Sequence, residues 1–342
     1  MKSLLALLAL AVGLMQPKRI HIGEIEFFGT AGIDVRKVQA ALPIHEGDEI
    51  AEDQVDTLFE NIPHAIEDVL GHKLTDVNLV CCNERGGLLI YLGLGGSNTQ
   101  PISLLPAPTG RACLAKDSVK LYDDFMDAFR QSVKNGNARE DHSQGYALSS
   151  DPATHERQLV MRKYAIAHEQ ALEQTLEFCG KAEHRQAAAM ILGYALKSKK
   201  QVAALVRASR DADETVRNNA TRALWVLAVS SSSTAAEIPS GSFVAMLNSG
   251  TWTDRNKSGQ LLVGLSGSRN PKLLGLLRSQ AMDSLVEMAR WKEPGHARAY
   301  RALLGRIAGI EEPRIDQLID TGKIEEIIAA AKTHALKQSP SH

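Results

Sequence analysis

Neighbouring histidine and glutamate residues are the groups of this sequence most suited to holding a metal ion. Pairs at His45, His155 and His168 each begin a His-Glu-x-x-His pattern, which would place two imidazole ligands and a catalytic carboxylate on one helix. The fifth position of the three patterns is not histidine but Glu49, Leu159 and Leu172. No cysteine pair has Cys-x-x-Cys spacing either. The sequence therefore predicts no metal site.

The residue types of a nucleophilic triad occur together at Asp141 to Ser143, where aspartate, histidine and serine are consecutive. Three neighbours along a loop do not give the geometry of a triad, and no oxyanion element accompanies them. Gly264 to Ser268 differs from the Gly-x-Ser-x-Gly pattern, and Gly93 to Gly96 lacks the helix that follows a phosphate-binding loop. We expect a protein that is not an enzyme and that binds no cofactor.

The amino terminus has the pattern of an export signal. Lys2 precedes an apolar run from Leu4 to Met15 that is too short to span a bilayer. We assign residues 1–16 to a signal peptide and expect a periplasmic or secreted protein. A buried first helix of a cytosolic protein and an uncleaved signal acting as an anchor are the alternatives. Contact with a membrane is expected only through such an uncleaved signal.

The cysteine content fits export without deciding the pairing of the four residues, which are Cys81, Cys82, Cys113 and Cys179. A bond between the adjacent Cys81 and Cys82 is expected to be awkward, because successive residues of a strand point to opposite faces. A bridge from one of these two to Cys113 stays open, and so do four buried, reduced thiols.

Charge divides the chain into two regions. The whole chain has a net charge of −1, so the strongly basic surface typical of nucleic-acid binders is absent overall and no nucleic-acid partner is expected. Residues 18–96 carry 6 basic and 14 acidic residues, whereas residues 97–342 carry 32 basic and 26 acidic residues. The asymmetry indicates two parts that face each other or meet different partners, or merely two solvated surfaces.

The acidic region predicts a small α+β domain over residues 18–96. Apolar and polar residues alternate from Arg19 to Phe28, as in a half-buried strand. One helix is predicted to begin near Asp34 and a second near Asp53, with Pro63 expected to kink or split the second. Two apolar runs around a Gly-rich turn, Val77 to Leu94, then form a hairpin. The predicted order is β-α-α-β-β.

This pattern resembles a POTRA domain, most specifically in the Leu-Pro-Ile-His-Glu-Gly-Asp turn from Leu42 to Asp48. The resemblance implies an envelope-facing module that binds polypeptide, often by adding a strand to the edge of its sheet. The chain departs from the family because the module stands alone, which removes the usual transport role. Any other small α+β domain is the alternative.

A linker and lead-in helix are predicted over residues 97–154. Three prolines between Ser97 and Gly110 indicate an extended, exposed segment. Residues 117–133 have amphipathic helical spacing, and residues 135–152 are polar and loop-like.

Residues 155–335 contain an internal repeat. Arg185, Ala188 and Leu192 recur 32 residues later, and weaker copies follow after 38 and 41 residues. Each copy has a second apolar stretch before it, so paired amphipathic helices must stack to bury their apolar faces. We predict an all-α solenoid with a terminal capping helix, and a generic helical bundle is the alternative.

The clearest unit, residues 202–228, resembles a HEAT repeat of the phycobilisome-lyase type. In that family an aspartate and an arginine can hydrogen-bond between neighbouring repeats. The resemblance implies a structural ladder, here carried by Arg185, Asp211, Asp213, Arg217 and Arg255.

The tryptophans of the repeat region are the residues suited to contacting a partner. Trp225, Trp252 and Trp291 could line a concave face, or they could belong to the core. The expected function is that of a non-enzymatic scaffold of the bacterial envelope. Its protein partners would bind at the sheet edge and the concave repeat surface. The alternative is a HEAT-like enzyme, such as a phycobilin-lyase-type protein that handles a chromophore or an alkylpurine glycosylase.

Overall fold

The computed structural model describes residues 19–338, so the predicted signal at residues 1–16 lies outside the described residues. A small α+β head is followed by a mainly helical body, as the sequence predicts in outline. The head, residues 19–96, comprises β1 (Arg19–Phe28), α1 (Val35–Ala41), β2 (Glu49–Ala51), α2 (Val55–Leu70), β3 (Asp76–Val80) and β4 (Leu88–Gly93).

The head sheet has the strand order β2-β1-β4-β3, with β1 parallel to β4 and the other two pairs antiparallel. The three-residue strand β2 was not predicted, because it has too few residues to show alternation. Helix α2 runs through Pro63, which was expected to kink or split it. The buried side chains of Ile62 and Ile66 hold α2 on the sheet, and their burial offsets the hydrogen bond that proline cannot donate.

The body, residues 116–338, begins with α3 (Lys116–Lys134) and a short hairpin of β5 (Glu140–Asp141) and β6 (Leu148–Ser149), where we predicted only a loop. Its remaining helices are α4 (Pro152–Phe178), α5 (Ala182–Leu192), α6 (Lys199–Ala208), α7 (Glu214–Ser230), α8 (Ser232–Glu237), α9 (Gly241–Met246), α10 (Trp252–Leu265), α11 (Pro271–Gln280), α12 (Met282–Ala289), α13 (Pro294–Ile307), α14 (Glu312–Asp320) and α15 (Ile324–Gln338).

Helices of the body pack in pairs, and the pairs are stacked. The paired helices are α4 with α5, α6 with α7, α9 with α10, α12 with α13 and α14 with α15. The second members also contact one another in the order α5, α7, α10, α13 and α15. One buried hydrophobic cluster runs from α3 to α15, so neighbouring pairs supply the burial that a single pair lacks. None of the described helices is both long and apolar enough to cross a membrane.

The first part of the linker, residues 97–113, is extended and mostly exposed, as expected, but its main chain is hydrogen-bonded to the body. Gln100 N donates to Asn248 O at 2.8 Å, and Leu105 N donates to Arg210 O at 2.7 Å. Farther along, Gly180 N donates to Gly110 O at 2.9 Å. The linker therefore runs from the head back to the end of α4 and crosses the turns between paired helices.

All four cysteines form disulfides. Cys81 is bonded to Cys82, contrary to our expectation, because β3 ends at Val80 and the two residues do not alternate across a strand. Cys113 is bonded to Cys179, so the suggested bridge from Cys81 or Cys82 to Cys113 was also wrong. The linker brings Cys113 to the end of α4, which the sequence separation of 66 residues concealed.

Candidate functional site

A ladder of buried ion pairs crosses the body. Three arginines near the starts of α5, α7 and α10 each bind a carboxylate of the next helical pair: Arg185 with Asp211, Arg217 with Asp254, and Arg255 with Glu287. The first two are bidentate, with Nε to carboxylate distances of 2.8 Å. The third has one bond of 3.1 Å. Each arginine also donates to a main-chain carbonyl near the start of its own helix.

The structure brings together most of the predicted ladder residues. Asp213 has a different role: it caps α7 by accepting from Val216 N at 2.9 Å, and it binds Gln186 of α5. In the sequence Asp254 was only a poorer match to the ladder aspartate, and sequence reasoning missed the acceptor Glu287. The available signal for Glu287 was a single carboxylate within the apolar stretch from Leu285 to Ala289.

Burial and ion pairing act on the ladder arginines in opposite directions. The hydrogen bond with Asp211 raises the pKa of Arg185, and burial lowers the pKa of Arg255 despite the nearby Glu287 carboxylate. The Arg255 side chain is 0% exposed and the Glu287 side chain is 10% exposed. Because a buried guanidinium is stable only when it is paired, each carboxylate fixes the position of the helical pair to which it belongs.

Glu287 joins the end of this ladder to the head. Its carboxylate accepts from Gly29 N at 2.8 Å, from Thr30 N at 2.7 Å and from the Thr30 hydroxyl at 2.6 Å. Asn98 Nδ2 of the linker donates to it at 3.1 Å. Gly29 has φ +66°, and an added Cβ would lie 2.2 Å from Thr99 Oγ1. This close turn lets two successive N–H groups point at one carboxylate.

An aromatic cluster closes the same interface. Tyr91 of β4 packs on Trp252 and Trp291, with centroid distances of 4.7 and 5.1 Å. Trp291 Nε1 donates to Phe27 O of the head at 3.0 Å. Trp252 and Trp291 are only 6% and 2% exposed, so of the two roles left open by the sequence these residues have the core role. The head covers them. Trp225 is half-buried against His142, and a partner contact there stays a prediction.

Two carboxylates of the head are desolvated where it meets the body. Glu26 accepts from Lys292 N, and Asp76 accepts from Trp252 N at 2.7 Å. Burial raises the pKa of Glu26 to about 7 and that of Asp76 to about 6. On the body side, burial lowers the pKa of His296 to about 4. Ionising either carboxylate therefore opposes docking of the head.

Glu26→Gln should stabilise the protein at alkaline pH. Glu26 ionises near pH 4.5 when unfolded and near pH 7 when folded, so wild-type stability is lost as pH rises between these values. The free energy of unfolding of the variant should exceed that of the wild type by about 3 kcal/mol above pH 7, and the two should be equal below pH 4.5. Urea unfolding at pH 4 and pH 8 measures it, with the exposed Glu84→Gln as control. An equal effect at both pH values would contradict the assignment.

The residues at 141–143 do not form a relay. Ser143 Oγ donates to Asp141 Oδ2 at 3.0 Å, so the serine hydroxyl is hydrogen-bonded to the aspartate and not to the histidine. The His142 ring lies 3.6 Å from Glu140 and packs on Trp225. Glu140 is paired with Arg222, and its pKa is lowered to about 2 although burial opposes the charge. This segment fastens the β5–β6 hairpin to α7.

Comparison with known proteins identifies no relative. No family model matches the chain, and no curated protein matches it significantly. Among solved structures, a crystal structure of an engineered protein aligns with 65% of this chain and 98% of its own, with 14% identity and a TM-score of 0.35. That likeness is too weak to support a conclusion about fold or function.

Proposed function

We propose that this protein is a non-enzymatic scaffold of the bacterial envelope that binds polypeptide at the edge of its head sheet. In this proposal the head is a POTRA-like module and the body is an α-solenoid of HEAT-like repeats. The ladder that links successive helical pairs supports the second assignment. The two disulfides support a periplasmic or secreted location, because such bonds persist in oxidising compartments.

The observation that carries the proposal is the difference between the two edges of the sheet. The β1 side is closed: β2 covers its start, and body residues bind Glu26, Phe27 and Gly29 near its end. The β3 side is unpaired: the Asp76 carboxylate at its start binds Trp252 N, but no main-chain hydrogen bond reaches its outer edge from any residue between 19 and 338. An unpaired strand edge is a template for adding a peptide strand.

The side chains of β3 are suited to selecting an added strand. Val77 and Leu79 pack towards the head core, and Val80 packs against the body cluster. All five residues of β3 are half-buried, so an added strand would cover apolar surface as well as main-chain groups. Main-chain hydrogen bonds would supply affinity, and the neighbouring side chains would supply selectivity.

Proline substitution at the open edge tests the proposal. Adjacent strand residues direct their N–H groups to opposite sides, so only one of Asn78→Pro and Leu79→Pro removes a bond to β4. The variant that unfolds like the wild type is the one whose lost N–H group pointed away from β4, and we call it the outward proline variant. We expect it to lose the envelope protein captured by the tagged wild-type chain, whereas Glu84→Ala at the exposed hairpin turn keeps it.

The capture experiment uses membrane and periplasmic fractions, read by mass spectrometry. Point variants are suited to this test because they leave the head in place, whereas removing the head would uncover the buried Trp252 and Trp291. Capture of the same partner in equal yield by the outward proline variant would rule out binding at the β3 edge.

A further inference from the structure

Two cysteines and a histidine meet where the linker reaches the first rung of the ladder. The sulfur atoms of Cys113 and Cys179 and a ring nitrogen of His184 all lie within 4.8 Å of one another. Cys179 and His184 are buried, and Cys113 is half-buried. The sequence concealed this set, because Cys113 comes from the linker, Cys179 from the end of α4 and His184 from α5.

His184 supplies an independent sign that a ligand belongs here. The residue is 8% exposed, and its Nδ1 atom is buried with no hydrogen-bond partner. Leaving a buried polar atom unpaired costs free energy, so such an atom needs an explanation. A neutral imidazole nitrogen beside two sulfur atoms is a suitable metal ligand.

Lys181 and Arg185 both contact Cys179. Lys181 N points at Cys179 Sγ at 3.4 Å, and Arg185 Nη1 donates to Cys179 O at 2.9 Å. An N–H donor stabilises a sulfur that carries negative charge, as a metal-bound thiolate does, whereas the Arg185 guanidinium is already paired with Asp211. Arg185 is also the first arginine of the ladder, so this site adjoins the contact between the first two helical pairs.

The main chain holds Cys113 close to Cys179 independently of the disulfide. Gly180 N donates to Gly110 O at 2.9 Å, and Gly110 forms a bridge with Cys179. A Cβ at Gly110 would lie 2.4 Å from Phe178 O, so the two segments approach as closely as glycine allows. These contacts anchor the segment that precedes Cys113 beside Cys179.

We propose that the reduced protein binds a zinc-class divalent cation through Cys113, Cys179 and His184, and that the disulfide is the metal-free state of the same site. A dithiol reductant supplies two electrons and two protons, the S–S bond breaks, two thiols form, and the reductant becomes a disulfide. The cation then displaces both thiol protons. Two thiolates on one tetrahedral zinc lie about 3.8 Å apart, which a small separation of the sulfurs provides. Solvent takes the fourth position beside the half-buried Cys113.

The test uses full-length chain carrying Cys81→Ser and Cys82→Ser, so that Cys113 and Cys179 are the remaining thiols. The chain is reduced with a phosphine and titrated with Co²⁺, whose thiolate charge-transfer and tetrahedral d–d bands report ligation. Competition by Zn²⁺ gives the affinity for zinc. We expect one Co²⁺ per reduced chain and none per oxidised chain.

Two variants identify the ligands. His184→Gln should weaken Co²⁺ binding at least roughly tenfold, and Cys113→Ser should abolish the charge-transfer band. Far-UV circular dichroism checks that each variant is folded. If His184→Gln does not fold, Cys113→Ser still tests the proposal, because Cys113 is only half-buried. The proposal is overturned if the reduced chain binds no Co²⁺, if the oxidised chain binds it equally, or if a folded His184→Gln variant keeps wild-type affinity.

Discussion

Glu287→Ala should reduce the free energy of unfolding by about 3–5 kcal/mol, which is typical of removing one partner of a buried ion pair. The substitution leaves the fully buried Arg255 guanidinium without its carboxylate. It also removes the acceptor of Gly29 N and Thr30 N, so the head loses its polar attachment to α12. Urea unfolding measures the first effect, and proteolysis of the linker at residues 97–113 reports release of the head.

Glu287→Gln is the matched variant, because its single amide oxygen can still accept from one of the two head N–H groups, Gly29 N or Thr30 N, which bind different oxygens of the carboxylate, while the charge that balances Arg255 is lost. We expect it to retain the protease resistance of the linker better than Glu287→Ala does. A Glu287→Ala protein with wild-type stability and an intact linker would contradict the assigned role of this carboxylate.

Arg217→Met should also reduce the free energy of unfolding by about 3–5 kcal/mol, because it leaves the buried Asp254 carboxylate without its ion-pair partner. The Asp254 side chain is 0% exposed and would keep only the Ser249 hydroxyl as a side-chain donor. The control is Arg290→Met, which removes an exposed pair with Glu325 and should cost less than about 1 kcal/mol. Chemical unfolding of both variants under one set of conditions gives the comparison.

Replacing both members of the pair separates the cost of a stranded charge from the value of the pair. Arg217→Met combined with Asp254→Leu should recover much of the loss, because apolar groups of similar volume can replace a buried ion pair. If Arg217→Met were no more destabilising than Arg290→Met, the ladder would not hold the helical pairs together.

Local patterns were sufficient to predict the longer elements of the chain, but not the short strands β2, β5 and β6. Alternation predicted β1, and the recurrence of Arg185 at Arg217 placed the first ladder residues on equivalent helices. Asp213 was recognisable as a cap because it directly precedes α7. Each of these features involves residues that are either a few positions apart or one repeat length apart, and such spacings can be seen in the sequence itself.

Contacts between the two parts of the chain could not be predicted in this way. Glu287 binds Gly29 across 258 residues, and neither residue has a neighbour in sequence that points to the other. The same limit applies to Trp252 and Trp291, whose apolar surface suited an external partner as well as it suits the head. The hydrogen bonds of the linker to the body and the disulfide between Cys113 and Cys179 could not be predicted either, because both join residues that are distant in sequence.

The head is fixed to the body, and this attachment determines which edge of the head sheet is open. Hydrogen exchange of the unmodified chain, followed by mass spectrometry at neutral pH, tests it most directly. We expect β1 and β4 to share the protection of α10 and α13, because the interface around Tyr91 and Glu287 unfolds with the body. The outer edge of β3 should exchange faster. Weak protection of β1 and β4 beside strongly protected α10 and α13 would mean that the head opens independently, and would contradict this account.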